Sequence, residues 1–331
     1  MSITESVAAA EFLPLAEPYR RELLAHCYRM LGSLHDAEDL VQETYLRAWR
    51  AYDGFEGRSS LRTWLYRIAT NACLTALEGQ SRRPLPSGLA DSPADPDDEL
   101  AERSEVPWLQ PMPDRLAGAW SADPAAIVAA RQGIRLAFIA ALQYLPPRQR
   151  AVLVLREVLN WRAAEVADLL GTSAAAVNSM LQRARAQISL AAPEQDAVSE
   201  PETPAQRRLL DRYVAAFEEY DIGTLVELFS SDVIWDMPPY AGWYRGPQAI
   251  IRLIASRCPV KRAGDLRLLP TRANGQPACA MYLRNDAGLY DAFQLHVLSM
   301  RGAAVYHVAA FLDVSLFAAF GLPVSLPASS G

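Results

Sequence analysis

Two proline-rich acidic stretches divide the chain and so limit what it can fold into. Eight of the 41 residues from Pro84 to Pro124 are proline, and this stretch carries nine acidic residues against two arginines. Residues 191–205 add three prolines and four acidic residues. Such compositions supply too little apolar surface for a packed core, so each stretch predicts a linker. The 331 residues are therefore expected to form three folded parts.

The composition excludes several classes of protein. No apolar run in the sequence reaches the length of a membrane span, and residues 1–12 carry two acidic residues and no basic one, which is not a signal peptide. The four cysteines lie far apart and form no spacing typical of a metal site. We therefore expect a cytoplasmic protein with reduced thiols, and the sequence predicts no membrane contact, no metal and no cofactor.

Charge is distributed unevenly along the chain. The net charge of −6 argues against a uniformly basic nucleic-acid binder. However, residues 45–83 hold seven arginines against three acidic residues, and residues 131–190 hold eight against three. Two basic blocks on either side of an acidic connector favour two separate surfaces for nucleic acid.

The most distinctive helix of the sequence begins with four carboxylates in eight residues. Ala37, Leu40, Val41, Thr44 and Ala48 recur at helical spacing and predict one buried stripe. The opposite face is predicted to carry Asp36, Glu38, Asp39, Gln42 and Glu43. The helix dipole explains acidic residues in the first turn but not Glu43. This face is typical of a docking surface for a basic partner, and the alternative is a plain solvated helix face.

A third helix, predicted from Leu61 to about Leu77, carries cations beside aromatic residues. Its outer face and the preceding loop are predicted to present Phe55, Arg58, Ser59, Ser60, Arg62, Thr63, Tyr66, Arg67, Thr70 and Asn71. Single-stranded DNA needs such stacking surfaces and pockets for unstacked bases. The alternative is that the two aromatic side chains are ordinary half-buried residues.

Residues 161–188 match a helix-turn-helix, with Gly171 at the turn. Val177, Met180, Leu181 and Ala184 recur at helical spacing on the second helix and predict its buried side. The outer side is predicted to carry Ser173, Ala175, Asn178, Ser179 and Gln182, with Arg183 and Arg185 on the flanks. Amides reach base edges in a major groove and arginines reach phosphates, so this helix predicts duplex DNA binding. The alternative is an ordinary helical hairpin.

Three motifs in this order resemble the bacterial sigma-70 family, in particular its extracytoplasmic-function sigma factors. The motifs are the acidic segment 36–44, the segment 60–69, and residues 145–150 followed by the helix-turn-helix. The resemblance implies a region 2 domain over residues 12–83, a linker over 84–126 and a region 4 domain over 127–190.

The resemblance also implies roles for the residues named above. The acidic face would dock on the β′ clamp helices of core RNA polymerase, and the face of the third helix with its loop would read the melted −10 element of promoter DNA. The second helix of the helix-turn-helix would read the −35 element. The linker would thread toward the RNA exit path. Its segment Trp108–Asp114 is similar to one in a subgroup of these factors with an extra C-terminal domain.

Beyond Arg207 the pattern reads helix, helix, strand, helix and then an antiparallel meander, which is typical of an α+β layer. Residues 205–320 resemble the SnoaL-like, ketosteroid-isomerase-like cone fold. The fold class expected for the chain is therefore multidomain, with two all-α domains and one α+β cone-like domain. The resemblance implies a pocket that could be lined by Trp235, Asp236, Tyr240, Trp243, Tyr244, Phe293, His296, His307 and Asp313.

Three functions stay open for the C-terminal domain. Asp236 or Asp313 with a histidine could abstract a proton next to a carbonyl, as enzymes of this fold do. The pocket could instead sense a ligand. The third option is intramolecular regulation by packing on the other domains or the linker. An anti-sigma protein is a further partner that the sequence neither requires nor rules out.

The leading hypothesis is a promoter-selecting sigma factor with a fused regulatory domain. One alternative is a transcriptional regulator whose helix-turn-helix binds operator DNA without polymerase, which would leave the acidic helix unexplained. Another is a SnoaL-like enzyme that carries DNA-binding domains. Only the leading hypothesis predicts that core RNA polymerase binds the chain.

Overall fold

The computed structural model describes residues 12–117, 133–191, 204–260 and 262–328, and these fall into two compact units. The helical unit combines the described residues up to Arg83 with those from Asp114 to Ala191. The C-terminal unit combines Pro84–Pro113 with the described residues from Pro204 onward. About two thirds of the linker expected from the sequence thus belongs to the C-terminal unit.

Three helices of the first helical region pack together. They are α1 (Arg20–Leu31), α2 (Leu34–Ala51) and α3 (Leu61–Ala76). Gly32 ends α1 in the left-handed conformation with φ of 70°, which a glycine adopts without strain. Ser33 caps α2 by accepting a hydrogen bond from the Asp36 backbone N–H at 3.2 Å. Ser60 caps α3 in the same way through the Thr63 N–H at 3.1 Å. The boundaries therefore follow from local capping chemistry.

The second helical region of the same unit begins after a short helix α4 (Asp114–Ala117). It contains α5 (Leu136–Leu142), α6 (Pro147–Leu153), α7 (Ala163–Leu170) and α8 (Ala174–Ala191), and α6 continues into a π-helical turn at Val154–Val158. The start of the domain expected from residue 127 lies outside the described residues. Gly171 is left-handed with φ of 60°, as a turn between α7 and α8 requires.

The C-terminal unit is a mixed sheet with helices packed against it. Its helices are α9 (Pro204–Glu218), α10 (Ile222–Leu228), α11 (Pro247–Arg257) and α12 (Leu316–Phe320). Its strands are β1 (Phe229–Asp236), β2 (Trp243–Arg245), β3 (Leu266–Ala273), β4 (Gln276–Arg284), β5 (Tyr290–Arg301), β6 (Ala304–Phe311) and β7 (Ser325–Leu326). The order across the sheet is β2-β1-β6-β5-β4-β3, and β7 pairs with β5.

Strands β3 to β6 form the antiparallel meander that the sequence predicts, while β1 joins β6 in parallel. The apolar core lies between this sheet and helices α9, α10 and α11. It includes Tyr213, Phe217 and Trp235, all nearly inaccessible to solvent. The short strand β2 was not predicted, because three residues are too few to show an alternating pattern.

Candidate functional site

The acidic face of α2 is presented as the sequence predicts. Four residues of the predicted stripe, Ala37, Val41, Thr44 and Ala48, are buried against the rest of the helical unit, and the fifth, Leu40, is half-buried. The opposite face carries Asp36, Glu38, Asp39, Gln42 and Glu43, of which Asp39 and Gln42 are exposed and the other three are half-buried. The apolar stripe orients the helix, so its carboxylates share one side.

Two of these carboxylates have basic partners within the helical unit. Asp36 forms an ion pair with Arg83 at the end of the first helical region. Glu43 pairs with Arg47 one turn along the helix at 2.7 Å, in an exposed position where such a pair contributes little stability. The acidic face therefore remains open to solvent around Asp39.

The loop before α3 and the first turn of this helix form a second candidate surface. The Phe55 and Trp64 rings lie 4.8 Å apart, and exposed Arg58 pairs with Glu56 at 3.0 Å. Arg62 binds the buried Glu22 carboxylate with distances of 2.8 to 3.0 Å. Arg62 is thus fixed by α1. Of the remaining residues predicted here, Ser59 and Thr63 are half-buried, whereas Ser60 and Asn71 are exposed.

Two residues expected on the outer face of α3 are buried instead. Tyr66 is fully inaccessible, and its ring packs edge-on against Trp161 of the second helical region at 5.9 Å. Thr70 is also fully buried, with its Oγ1 2.9 Å from Nε2 of His26 on α1. The sequence prediction was wrong for both, because helical spacing does not reveal that a distant segment covers this face.

Arg67 contacts the second helical region as well. Its guanidinium donates to Asp168 of α7 at 2.9 Å. Arg150 of α6 donates to the backbone carbonyl of Met30, and Arg29 of α1 donates to the Gly133 carbonyl at 2.8 Å. The two helical regions therefore pack on each other, and part of the surface predicted to read DNA lies inside that contact.

The helix-turn-helix is arranged as predicted. Val177, Leu181, Ala184 and Ile188 are buried, and Met180 is half-buried. The outer side of α8 exposes Ser173, Ala175, Asn178, Ser179, Gln182, Arg183 and Arg185. Ser173 caps the helix by accepting from the Ala176 N–H at 3.2 Å, and Arg185 pairs with Glu157 at 2.6 Å. Small and amide side chains are thus exposed to solvent along one continuous side of α8.

The pocket predicted for the C-terminal unit is divided between the two faces of its sheet. Trp235 faces the helices, where its ring packs against His296 at 5.1 Å. Asp236 is the next residue on the same strand, so it faces the opposite side, where it contacts His307. The prediction of one pocket containing Trp235 and Asp236 together was therefore wrong.

The other residues expected in this pocket also separate. Phe293 packs at the margin of the apolar core, and Tyr244 is buried within it. Asp313 is exposed and accepts hydrogen bonds from Ser315, so it caps the turn before α12 rather than lining a pocket. Tyr240 and Trp243 lie next to the linker. The backbone of Tyr240 forms an isolated antiparallel β-bridge with that of Glu102, and Trp243 Nε1 donates to the Ala90 carbonyl at 3.1 Å.

Asp236 binds the linker as well as the histidine. Its Oδ1 accepts from the Ser87 backbone N–H at 2.6 Å, and its Oδ2 accepts from the Ser87 hydroxyl at 2.7 Å. The same Oδ2 lies 2.7 Å from Nε2 of His307. Asp236 is fully buried, and both of its oxygens are occupied by groups of this chain.

The segment Pro84–Pro113, which we call the docked segment, is bound to the sheet and α11 at several points. The Ala94 N–H donates to the Trp243 carbonyl at 2.8 Å. Arg252 pairs with Asp97 at 3.2 Å, and Arg257 donates to the carbonyls of residues 97 and 98. Near its end, the Met112 N–H donates to Asn274 Oδ1 at 2.8 Å. A segment of linker-like composition is thus ordered by a partner surface.

Sequence reasoning missed several residues that shape these surfaces. Ser87 binds the candidate residue Asp236 and Trp161 covers the candidate residue Tyr66, while Asn274 binds Met112 of the docked segment. All three contacts span long sequence separations. The signal for Asn274 was available, since it lies in the Asn-Gly pair of the β3–β4 hairpin and has a positive φ of 56°. The apolar residues around Trp108 also indicated that the linker docks, and Leu109 and Met112 are fully buried.

Each unit contains a buried neutral histidine. Burial lowers the pKa of His26 in the helical unit from 6.5 to about 3, and the nearby Arg29 adds to the shift. Burial alone lowers the pKa of His296 to about 3 in the C-terminal unit, where its Nδ1 lies 2.8 Å from the Tyr213 hydroxyl. Neither side chain is suited to proton transfer near neutral pH.

The described residues form no candidate metal site and no candidate membrane span. Within those ranges no group of three or more His, Cys, Asp or Glu side chains is arranged to hold a metal ion. No described helix is both long enough and apolar enough to cross a bilayer.

Comparison with known proteins gives matches for both helical regions. The family model for Sigma-70 region 2 matches residues 15–83, and the model for Sigma-70, region 4 matches residues 135–188. The ECF RNA polymerase sigma factor SigG of Mycobacterium tuberculosis is 62% identical over 317 residues, which cover 96% of this chain and 85% of that protein.

A second relative is similar in both sequence and fold. The ECF RNA polymerase sigma factor SigJ of M. tuberculosis is 31% identical over 244 residues, covering 72% of this chain and 70% of that protein. Its crystal structure matches with a TM-score of 0.59 at 24% identity, covering 96% of this chain and 99% of that one. This match confirms the expected fold class of helical domains followed by an α+β domain.

Proposed function

The chain belongs to the extracytoplasmic-function RNA polymerase sigma factors, and from this membership we propose which of its surfaces bind polymerase and promoter DNA. It binds core RNA polymerase and directs initiation of transcription at specific promoters. We propose that it does so in the cytoplasm, with the acidic face of α2 as the polymerase-binding surface. The observation that carries this assignment is the row of carboxylates fixed outward by the buried stripe of α2.

The acidic face can be tested by reversing its charge. Asp39→Arg together with Glu43→Arg should abolish binding to core polymerase in a pull-down, while the melting temperature stays the same because both side chains point away from the core. The matched control is Glu219→Arg with Asp286→Arg, two exposed acidic residues of the C-terminal unit. Equal polymerase binding by both double variants would overturn the assignment.

For promoter DNA we propose two readers. The outer side of α8 binds the −35 element, with Asn178 and Gln182 at base edges and Arg183 at a phosphate. The loop before α3 and the exposed residues of that helix bind the melted −10 element, with Phe55 as a stacking surface. Since Tyr66 and Arg67 contact the second helical region, complete −10 recognition requires the two helical regions to separate.

We infer that the C-terminal unit regulates initiation through the docked segment. The family resemblance implies that the linker enters the polymerase. Residues 84–113 instead form hydrogen bonds with the sheet of the C-terminal unit, from Ser87 at one end to Met112 at the other. A segment held in this way is withheld from the polymerase until those contacts break. The unit therefore inhibits initiation in this arrangement.

Run-off transcription with core polymerase tests this inhibition on the full chain. Arg252→Glu with Arg257→Glu removes two contacts to the acidic part of the docked segment and should increase the transcript from the gene's own upstream region. Arg207→Glu with Arg208→Glu changes the charge of the same unit at exposed positions and serves as the control. Unchanged or reduced transcript from the first variant alone would contradict the inhibition.

We also infer that the C-terminal unit binds its own linker instead of catalysing a reaction. A general base must reach its substrate, but Asp236 is fully buried and both of its oxygens bind Ser87. Exchange of the α-protons of small ketones in deuterated water, measured by NMR, should proceed at the same rate with the wild type and with Asp236→Asn. Faster exchange with the wild type would contradict this inference.

A further inference from the structure

The helical unit contains a cavity that the surfaces described above do not explain. It has a volume of about 340 Å³ and lies where the end of the first helical region meets the second. Residues 80–83 supply one wall, and residues 143–147 with Gln187 supply the other. Among the described residues that line it, three are arginines and none is acidic.

Arg150 is the buried cation of this cavity. Its side chain is 3% exposed, and its guanidinium donates to the Gln143 Oε1 at 2.9 Å and to the carbonyls of Gln143, Leu145 and Met30. Its Nε has no partner in the described part of the chain. All four acceptors are neutral oxygens, so they do not offset the charge of the guanidinium. Burial lowers its pKa from 12.5 to about 10, which leaves it charged at neutral pH.

Arg82 and Arg83 supply two further guanidinium groups at the exposed side of the cavity. Arg82 lies over the ring of Tyr144, 4.5 Å from the centroid. Arg83 is paired with Asp36, which offsets its charge. One planar guanidinium can donate two parallel hydrogen bonds to the oxygens of a phosphate. A guanidinium that stacks on an aromatic ring, as that of Arg82 does, already has a fixed orientation for these hydrogen bonds. The cavity thus joins positive charge to an aromatic side chain.

The remaining lining residues suit a planar group. Leu31, Leu77 and two consecutive prolines provide apolar surface, while Gln80 and Gln187 provide amides. Pockets for small organic ligands combine such apolar walls with a few polar groups, in volumes from about 300 Å³ upward. A lone inorganic ion would leave most of the cavity empty.

We propose that this cavity binds a ligand of the nucleotide class, a planar ring that carries two or more phosphates. The phosphates contact Arg82 beside the positive charge of Arg150, and the ring lies against the leucine and proline side chains. Because the walls come from both helical regions, a bound ligand favours the arrangement in which the regions are packed together. Binding itself does not depend on the proposed function, whereas its effect on transcription does.

Titration calorimetry and thermal melting on the full chain test the site with ATP as the probe. We expect saturable binding of ATP, and a rise of the melting temperature with its concentration. Arg82→Ala should weaken binding about tenfold or more, since it removes charge-assisted hydrogen bonds to phosphate. Arg208→Ala, an exposed arginine of the C-terminal unit, is the matched control and should bind as the wild type does.

Two further probes separate the sources of phosphate. Tripolyphosphate should bind more weakly than ATP, because it lacks the ring, and a short DNA duplex should not compete with ATP for the site. No binding of ATP, or equal binding by Arg82→Ala and the wild type, would overturn the proposal. Competition by the duplex through Arg82 would also overturn it, in favour of a contact to the DNA backbone. These binding assays contain no polymerase, so their outcome does not depend on the sigma-factor assignment.

Discussion

The two surfaces proposed to read the promoter differ in how the helical unit presents them. The predicted outer side of α8 is exposed to solvent from Ser173 to Arg185. The face of α3 is partly enclosed, with Tyr66 buried under Trp161 and Arg67 paired with Asp168. A sigma factor built in this way can meet duplex DNA at the −35 element before it can bind the melted −10 element.

The two surfaces differ because local contacts determine one of them and contacts with a distant segment determine the other. The α8 surface depends on its own helix, whose buried stripe and cap are encoded within twenty residues. The α3 surface depends on a contact between segments about a hundred residues apart. Changes within α8 should therefore alter DNA binding alone, whereas changes at the contact should alter both stability and access to α3.

The largest effect is expected from removing the cover of Tyr66. Trp161 is 7% exposed, and Trp161→Ala should lower the free energy of unfolding of the helical unit by about 3–5 kcal/mol, as for other buried aromatic residues. Chemical denaturation measures this change. Trp108→Ala, at a half-buried tryptophan of the docked segment, should leave the stability of the helical unit unchanged. If both variants behaved alike, the enclosure of α3 would not depend on Trp161.

Acid should weaken both units through their buried histidines. The unfolded chain takes up a proton on His26 and on His296 below pH 6.5, but the folded chain does so only near pH 3. The contribution of these histidines to the free energy of unfolding is therefore fully present above pH 6.5 and is lost as the pH falls toward 3. At pH 5 the loss is about 2 kcal/mol for each histidine.

Histidine variants assign this acid sensitivity to each unit. His26→Gln should flatten the pH dependence of unfolding for the helical unit, and His296→Gln should do so for the C-terminal unit. His35→Gln changes an exposed histidine of α2 and is the control. A pH dependence that survives both of the first two variants would contradict the assignment.

The exposed reader should lose affinity without losing stability. Gln182→Ala is expected to weaken binding of the holoenzyme to −35 duplex DNA about tenfold, since an amide at a base edge is worth about 1–3 kcal/mol. Fluorescence anisotropy with matched and mutated −35 sequences measures this loss. Ser189→Ala lies farther along the same helix and should have no effect. A drop in melting temperature for Gln182→Ala would show that the side chain belongs to the fold.

The smallest effect is expected at the ion pair between the helical regions. Arg67 and Asp168 are both substantially exposed, so Asp168→Asn should lower stability by no more than about 1 kcal/mol. It should also raise affinity for single-stranded −10 DNA a few-fold at most, because Trp161 still covers Tyr66. Glu227→Gln, which removes an exposed pair with Arg212 in the other unit, is the control. A large gain in affinity would show that the ion pair alone keeps the regions together.

The sequence was sufficient wherever one helix or strand decides its own geometry. Helical spacing placed Val177 and Leu181 inside and Asn178 and Gln182 outside, and the structure agrees. The helix α3 begins at Leu61, where the sequence predicts it, and Ser60 caps it. The antiparallel meander of the C-terminal unit was predicted as well, because strand alternation and flanking turns are local features.

The sequence was insufficient where a distant segment decides the environment. Tyr66 lies on the predicted outer face of α3, but its burial comes from Trp161 in another region. Strand alternation could have separated Trp235 from Asp236, although it could not identify Ser87, 149 residues away, as the partner of Asp236. Composition predicted a linker over residues 84–126 but contained no information on the surface that binds it.

The polymerase-free chain encloses part of its proposed −10 surface, and we propose that polymerase separates the helical regions. The direct test is the distance between spin labels at Thr75→Cys on α3 and Ser189→Cys on α8, both exposed, in a chain with Cys258→Ser. We predict one short distance in the free chain and a longer one in the complex with core polymerase. The same short distance in a complex that initiates transcription would contradict the account.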